Sequence, residues 1–368
     1  MTDLRPWPPG TATGIGSMPG TDALEAARIV IGELPQLPHV PELPDRGVGA
    51  DMIGRTAALL VDLAVELVPS GYRVTARAGR DHRRGVDLLR SDLDALEEAV
   101  GSAGARPEVV KLQAAGPWTL AAAVELRSGH KVLTDPGALR EFAVSLAEGL
   151  RAHASEVSRR LGAGAIVQLD EPGLPAVLAG GVPTPSGFGT VAAVPENEVA
   201  ELLHSVLEAL PVPRIVHCCA PRPPLALLRR AGADVLAVDA ELLAGAPRAT
   251  VDALGEAWDS GVSVLLGLVP AVQPPAQSSV PASVSGAVSS SGQPAARAGG
   301  PPTRAQLARP ALDLVDRLGF DRAVLAERCL PTPSCGMAGA TPEWARRALT
   351  LARELGQAFV DPPGSWSS

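Results

Sequence analysis

Apolar residues along this chain recur with two periods. Short runs in which apolar and small residues dominate predict strands at TGIGS (13–17), LPHVPEL (37–43), VVKLQAAG (109–116), AIVQLDEP (165–172), RIVHCCA (214–220), ADVLAVDA (233–240), VSVLLGLVP (262–270) and AVLAERCL (323–330). Longer segments rich in Ala, Leu, Glu and Arg predict helices between them, at 22–34, 50–68, 136–162 and 195–210. GYRVTA (71–76) reads as a further strand or half of a hairpin. Strands alternating with helices predict βα units around a parallel sheet, and eight of each predict a TIM (β/α)8 barrel; an open doubly wound sheet is the alternative.

One segment departs from this rhythm. Residues 271–303 are nearly all Ala, Pro, Ser, Gly, Gln and Val, with a single charge. Such a composition cannot bury enough apolar surface to offset its ordering entropy, so the expectation is a disordered insert after the seventh strand of one domain spanning 1–368. No internal repeat stands out.

Composition narrows the function classes. The chain has 368 residues, is 46% hydrophobic and 20% charged, and carries a formal charge of −8. That balance lacks the basic footprint of a nucleic-acid binder. The apolar runs are short and interrupted, which predicts no membrane span. The start, MTDLRPWPPG, has no basic stretch followed by an apolar one, so the expectation is a cytoplasmic protein with reduced thiols.

The four cysteines then stand as ligands or core residues. In IVHCCA (215–220), strand alternation points His217 and Cys219 one way and Cys218 the other. Asp239 ends the sixth predicted strand, and Cys335 follows the eighth in PTPSCGMAG. Strand ends on one rim of a barrel converge, so His217, Cys219, Asp239 and Cys335 could form a tetrahedral zinc shell. The plain alternative is buried core cysteines beside a hydrogen-bonded histidine. Cys218 and Cys329 are assigned to the core.

These residues carry a resemblance. HCC with ADVLAVD and PSCG resembles the zinc motifs of the C-terminal barrel of cobalamin-independent methionine synthase. GIGSMPG (14–20) is similar to that family's Ile-Gly-Ser-(aromatic)-Pro segment, AAGPWTLAA (114–122) to its Gly-Pro-x-Thr segment, and QLDEPGLP (168–175) to its Asp-Glu-Pro segment. The motifs run in order over nearly the whole chain outside the insert. The resemblance implies Zn2+ on His217, Cys219 and Cys335, with Asp239 at the position of the family's glutamate. It implies homocysteine contacts from Ile15, Gly16, Ser17 and Asp170, the last also orienting the reacting amino acid. Glu42 or Asp45 falls near a substrate-binding glutamate of the family, but as residues in PHVPELPDR both read as solvated loop charges. His39 reads as a satisfied loop histidine.

The departures bear on the methyl donor. No copy of the family's N-terminal barrel is present. Ala123 stands where the family stacks a tryptophan on folate, and Ala176 stands where it has a folate-contacting glutamate. Trp118 reads as core. The expected activity is methyl transfer to homocysteine, forming methionine, with a methylated corrinoid on a partner protein as donor. The alternatives are corrinoid-dependent transfer to another thiol and a non-catalytic barrel that binds zinc or an amino acid.

Overall fold

The structure, a computed structural model, describes residues 5–274 and 302–361. Most of the segment expected as an insert, 275–301, lies outside the described residues.

The centre is a parallel sheet of six strands in chain order: β3 (Val109–Ala115), β4 (Gly164–Asp170), β5 (Ile215–His217), β6 (Val235–Asp239), β7 (Ser263–Val269) and β8 (Cys329–Pro333). Two extended staves close it into a barrel. Val40 N–H donates to the Lys111 carbonyl (2.8 Å), and Glu42 N–H donates to the Gly16 carbonyl (3.2 Å). Thr13 N–H donates to the Pro331 carbonyl of β8 (3.3 Å) and completes the ring. Both staves were legible in sequence, yet they make isolated bridges rather than ladders. Pro38 and Pro41 remove amide donors from the 38–42 stave, which limits the pairing it can form.

The helices follow their caps. Asp22 and Asp135 accept the first free amides of Ala23–Glu33 and Pro136–Leu161, and Gly162 ends the latter in the left-handed region at φ 63°. Two predictions change. The helix expected over 50–68 stops at Ala57, and β1 (Ala64–Val68) then pairs antiparallel with β2 (Gly71–Thr75). Asp62 takes φ 58°, a turn that a right-handed helix cannot pass through. The strand expected over 323–330 is a helix, Ala323–Arg328, followed by β8. Its Ala, Leu, Glu and Arg are good helix formers, and the Asp321 carboxylate accepts the Ala323 amide at the start.

Alternation along the strands sorts the barrel interior. Val109, Ile166, Ile215, Val235, Leu265 and Leu330 form an apolar layer at the amino-terminal ends of the strands, with Trp7 and Leu37 packed into it. One or two pleats further along, the same face carries Lys111, Gln113, Gln168, Asp170 and His217, all buried. The interior therefore changes from apolar to polar toward the strand ends, where barrel sites form. Among the described residues, no helix is long and apolar enough to cross a membrane.

The short helix Met52–Ala57 joins this rim to the outer layer. Thr56 Oγ1 accepts the Ala115 amide at the end of β3 (2.8 Å). Beyond the helix, Gly149 of Pro136–Leu161 meets the chain so closely that an added Cβ would lie 1.8 Å from the Leu59 carbonyl oxygen. Gly149→Ala should therefore cost about 2 kcal/mol, in the range of overpacked cores. Thermal unfolding measures it, and an unchanged midpoint would contradict this packing.

Candidate active site

His217 ends β5, and its register partner Asp170 ends β4. Their side chains meet at 2.7 Å, His217 Nδ1 to Asp170 Oδ1. A carboxylate can only accept, so Nδ1 carries the proton, and in the neutral imidazole Nε2 keeps its lone pair. Nε2 is buried with no hydrogen-bond partner. Cys219 lies two residues beyond His217, and Cys335 lies just past β8; their sulfurs are 3.3 Å apart. The ligand atoms of His217, Cys219 and Cys335 all fall within 4.8 Å of one another.

This donor set suits a metal ion. A buried imidazole nitrogen with a free lone pair and two thiols at contact distance are the nitrogen and sulfur donors zinc takes, and the carboxylate behind the imidazole orients it as metal-site histidines require. Contact with Cys219 holds the Cys335 thiol below its ordinary range, despite burial, and His217 acts in the same direction. The same contact, then burial, pushes Cys219 upward. Cys218 and Cys329 are buried elsewhere in the core, as expected.

Asp239 behaves differently from its predicted partners. Its Oδ1 accepts the Glu241 amide (2.8 Å) and, more loosely, the Leu242 amide (3.4 Å), capping the helix Ala240–Ala244. Among the described residues, the cluster at ligand distance contains three of the four predicted side chains and leaves Asp239 outside it.

The cluster forms one wall of a cavity of about 320 Å3. Ile15, Gly16, Ser17 and Asp170, the predicted substrate contacts, all line it, as does Glu42. The Ile15 carbonyl accepts from Lys111 Nζ and from Gln168 Nε2, each at 2.9 Å, which fixes the 15–17 segment from below. The Ser17 carbonyl accepts the Met337 amide (2.9 Å). Gly336 permits that approach, because a Cβ there would sit 2.1 Å from Ser17 Oγ. Gln168 Nε2 also donates to Asp170 Oδ1 (2.7 Å), so Lys111, Gln168, Asp170 and His217 form one buried polar chain.

Glu42 corrects the sequence reading. It is not a solvated loop charge: its stave is barrel wall, the residue is 9% exposed, and Arg55 Nε lies 3.1 Å from its Oε1. Burial pushes its pKa up to about 7 against the pull of Arg55. Asp45 is the exposed one of the pair and accepts the Gly20 amide (3.1 Å). His39 is likewise no loop histidine; it is fully buried on the same stave, and burial, with Lys111 nearby, holds it neutral. Lys111 and Gln168 were passed over. Their signal was present, since K-x-Q and Q-x-D inside apolar strand runs mark one polar face at period two. Glu171 accepts the Trp118 and Thr119 amides and the Thr119 hydroxyl, which ties the Asp-Glu-Pro segment to the Gly-Pro-Trp-Thr helix. Trp118 is buried core, as read from the sequence.

Thiol reactivity tests this arrangement. In the metal-free protein, iodoacetamide should modify Cys335 first, because its thiol is lowered and partly exposed, and should spare Cys218 and Cys329, whose thiols burial pushes up. Peptide mass spectrometry reads the sites, and fast modification of Cys218 or Cys329 would contradict the placement. Added zinc should protect Cys219 and Cys335 together.

Comparison with known proteins adds the family. The sequence profile described as cobalamin-independent synthase, catalytic domain, matches residues 10–358. No curated protein sequence matches the chain. Among solved structures, a B12-independent methionine synthase from Shewanella sp. W3-18-1, in complex with selenomethionine, is 11% identical with a TM-score of 0.52, covering 95% of this chain and 97% of that one. A methyltransferase from Methanosarcina mazei is 12% identical with a TM-score of 0.54, covering 95% of both chains. At such identities these likenesses establish the barrel fold. The family's description goes against the methylated corrinoid, and the corrinoid protein, expected from the sequence. That expectation rested on the alanines at 123 and 176, and two small apolar side chains offer no positive contact for a corrinoid. Matched over nearly its whole length, the chain belongs to the family of cobalamin-independent synthase catalytic domains, which are methyltransferases.

Proposed function

We propose that the barrel methylates the sulfur of homocysteine to form methionine, with Zn2+ held by His217, Cys219 and Cys335. The carrying observation is that the metal-suited cluster shares one cavity with two buried carboxylates, Glu42 and Asp170, while among the described residues no Lys or Arg lines it. Such a cavity favours a thiol that brings an ammonium group and disfavours an anionic thiol.

The roles follow from position. Asp170 accepts from His217 and so keeps the imidazole in the tautomer that presents Nε2 to a metal. Asp170 and Glu42 would hold the amino group, and the 15–17 segment would seat the carboxylate end of the amino acid. When bound, zinc supplies Lewis acidity that keeps a coordinated thiol deprotonated at neutral pH. The sulfur lone pair then attacks the methyl carbon, and the bond from that carbon to the donor breaks with its electrons staying on the donor. Holding the amino acid at both ends turns collision into positioned attack. The low-dielectric floor built from Lys111, Gln168 and the apolar layer beneath them resists rearrangement as charge shifts.

The acceptor half of this reaction can be tested without a donor. The protein should bind about one zinc per chain, and homocysteine added to the zinc-loaded form should release about one proton. Cys219→Ser and Cys335→Ser should each abolish both responses. Their metal-free thermal midpoints should stay within about 2 °C of wild type, because the barrel is complete without the ion. A sulfonate thiol lacking an amino group should give a much weaker response. An equal response to it would favour a different thiol acceptor, and a collapse of the fold on losing zinc would favour a structural site.

A further inference from the structure

We propose that Arg55 is a positioning residue for amino-group recognition: paired with Glu42 on the cavity wall, it keeps that carboxylate in place for an ammonium group, so the site distinguishes thiols that carry an ammonium from those that do not. This deepens the homocysteine reading and rests on it.

The geometry is a chain of buried charges with one end open to the cavity. Arg55 sits on the helix Met52–Ala57 and is 2% exposed. Its Nε lies 3.1 Å from Glu42 Oε1, and its NH1 donates to Asp92 Oδ2 at 2.8 Å. Asp92, also 2% exposed, belongs to the helix Arg80–Ala103 and takes a second arginine, Arg46, at 2.7 Å. The order Glu42, Arg55, Asp92, Arg46 alternates in sign and sums to zero. Of the four, Glu42 is the one that lines the cavity.

Stability alone is a poor explanation of this chain. Burying paired charges costs several kcal/mol per ion in desolvation, and well-packed apolar residues often serve as well or better. Arg55 places its guanidinium between two carboxylates on two different elements: NH1 donates to Asp92, and Glu42 sits against the Nε edge as an ion pair with no hydrogen bond to that nitrogen. That ion pair ties Glu42 to the helix layer by charge.

The charges facing Glu42 come from every element around it. Arg55 and Lys111 favour its ionised form, while Asp170 and Asp92 oppose it. Burial already outweighs the two cations. Without Arg55, Glu42 would face two like charges with one cation left, and its pKa would rise above the value of about 7 that it has beside Arg55. A protonated Glu42 loses most of its hold on an ammonium group.

The test compares two ligands on the zinc-loaded protein: homocysteine, and 4-mercaptobutanoate, which is homocysteine without its amino group. In wild type, homocysteine should bind at least about tenfold more tightly, the worth of one charge-assisted contact. In Arg55→Gln, that preference should collapse by about tenfold, almost wholly through weaker homocysteine binding. In wild type the preference should grow between about pH 6 and about pH 8 as Glu42 ionises, and in Arg55→Gln that rise should move to higher pH, a trend the ratio of the two Kd values isolates from thiol ionisation. Arg55→Lys keeps the charge but loses the planar guanidinium, so it should lose about threefold and carries the test if the glutamine variant fails to fold. Equal weakening of both ligands would reduce Arg55 to scaffolding and overturn the proposal, as would an unchanged ratio in either variant. A wild-type protein that binds both thiols equally would overturn the homocysteine reading itself, and the Arg55 role with it.

Discussion

The contact between Asp170 and His217 is the interaction on which the rest of the site depends. Two neighbouring parallel strands end in register, one on a carboxylate and the other on an imidazole, and the 2.7 Å contact between them decides which ring nitrogen holds the proton. That choice sends the Nε2 lone pair toward Cys219 and Cys335. It also commits one Asp170 oxygen to holding the imidazole, so the carboxylate links the metal-suited cluster to the substrate cavity. If β4 and β5 slipped by one residue, the pair would part, because side chains alternate faces.

The barrel makes this contact possible by arranging its interior in layers. Apolar residues near the strand starts supply the packed floor, and the next pleats carry Lys111, Gln113, Gln168 and Asp170 in mutual contact. A buried lysine with no carboxylate touching it is costly, and burial pushes Lys111 down to about 7 against the pull of Asp170 and Glu42. The offset comes from its three acceptors, the Ile15 carbonyl, Gln113 and Gln168. The 15–17 segment that lines the cavity is thus held by the same polar layer that carries Asp170, the partner of His217. Two functions share one set of hydrogen bonds, which is why both belong at the carboxyl ends of the strands.

Much of this was legible in the sequence, and the gaps have physical causes. His217, Cys219 and Cys335 were found because ligand chemistry is rare in an otherwise apolar run, and barrel topology told where strand ends meet. The 15–17 segment, which lines the cavity, was picked out through ordered motifs, since nothing in Ile15 or Gly16 alone announces a binding role. Glu42 was misplaced because PHVPELP has the proline content of a loop, whereas the closing stave of a barrel can be extended chain with few ladder bonds. Arg55 was hidden inside an expected long helix whose second half is the β1–β2 hairpin. Its partner Asp92 lies 37 positions away, beyond the reach of any local pattern. Asp239 shows the opposite limit: strand position placed it at the rim, but rotamer and cap decided what its carboxylate touches.

The central claim is that substrate sulfur joins a metal held by one histidine and two cysteines. Zinc-edge X-ray absorption on the zinc-loaded protein, before and after homocysteine, tests it most directly. The account predicts two sulfur ligands rising to three on addition, with the histidine retained. A sulfur count that does not change, or a metal without His217 in its shell, would contradict it.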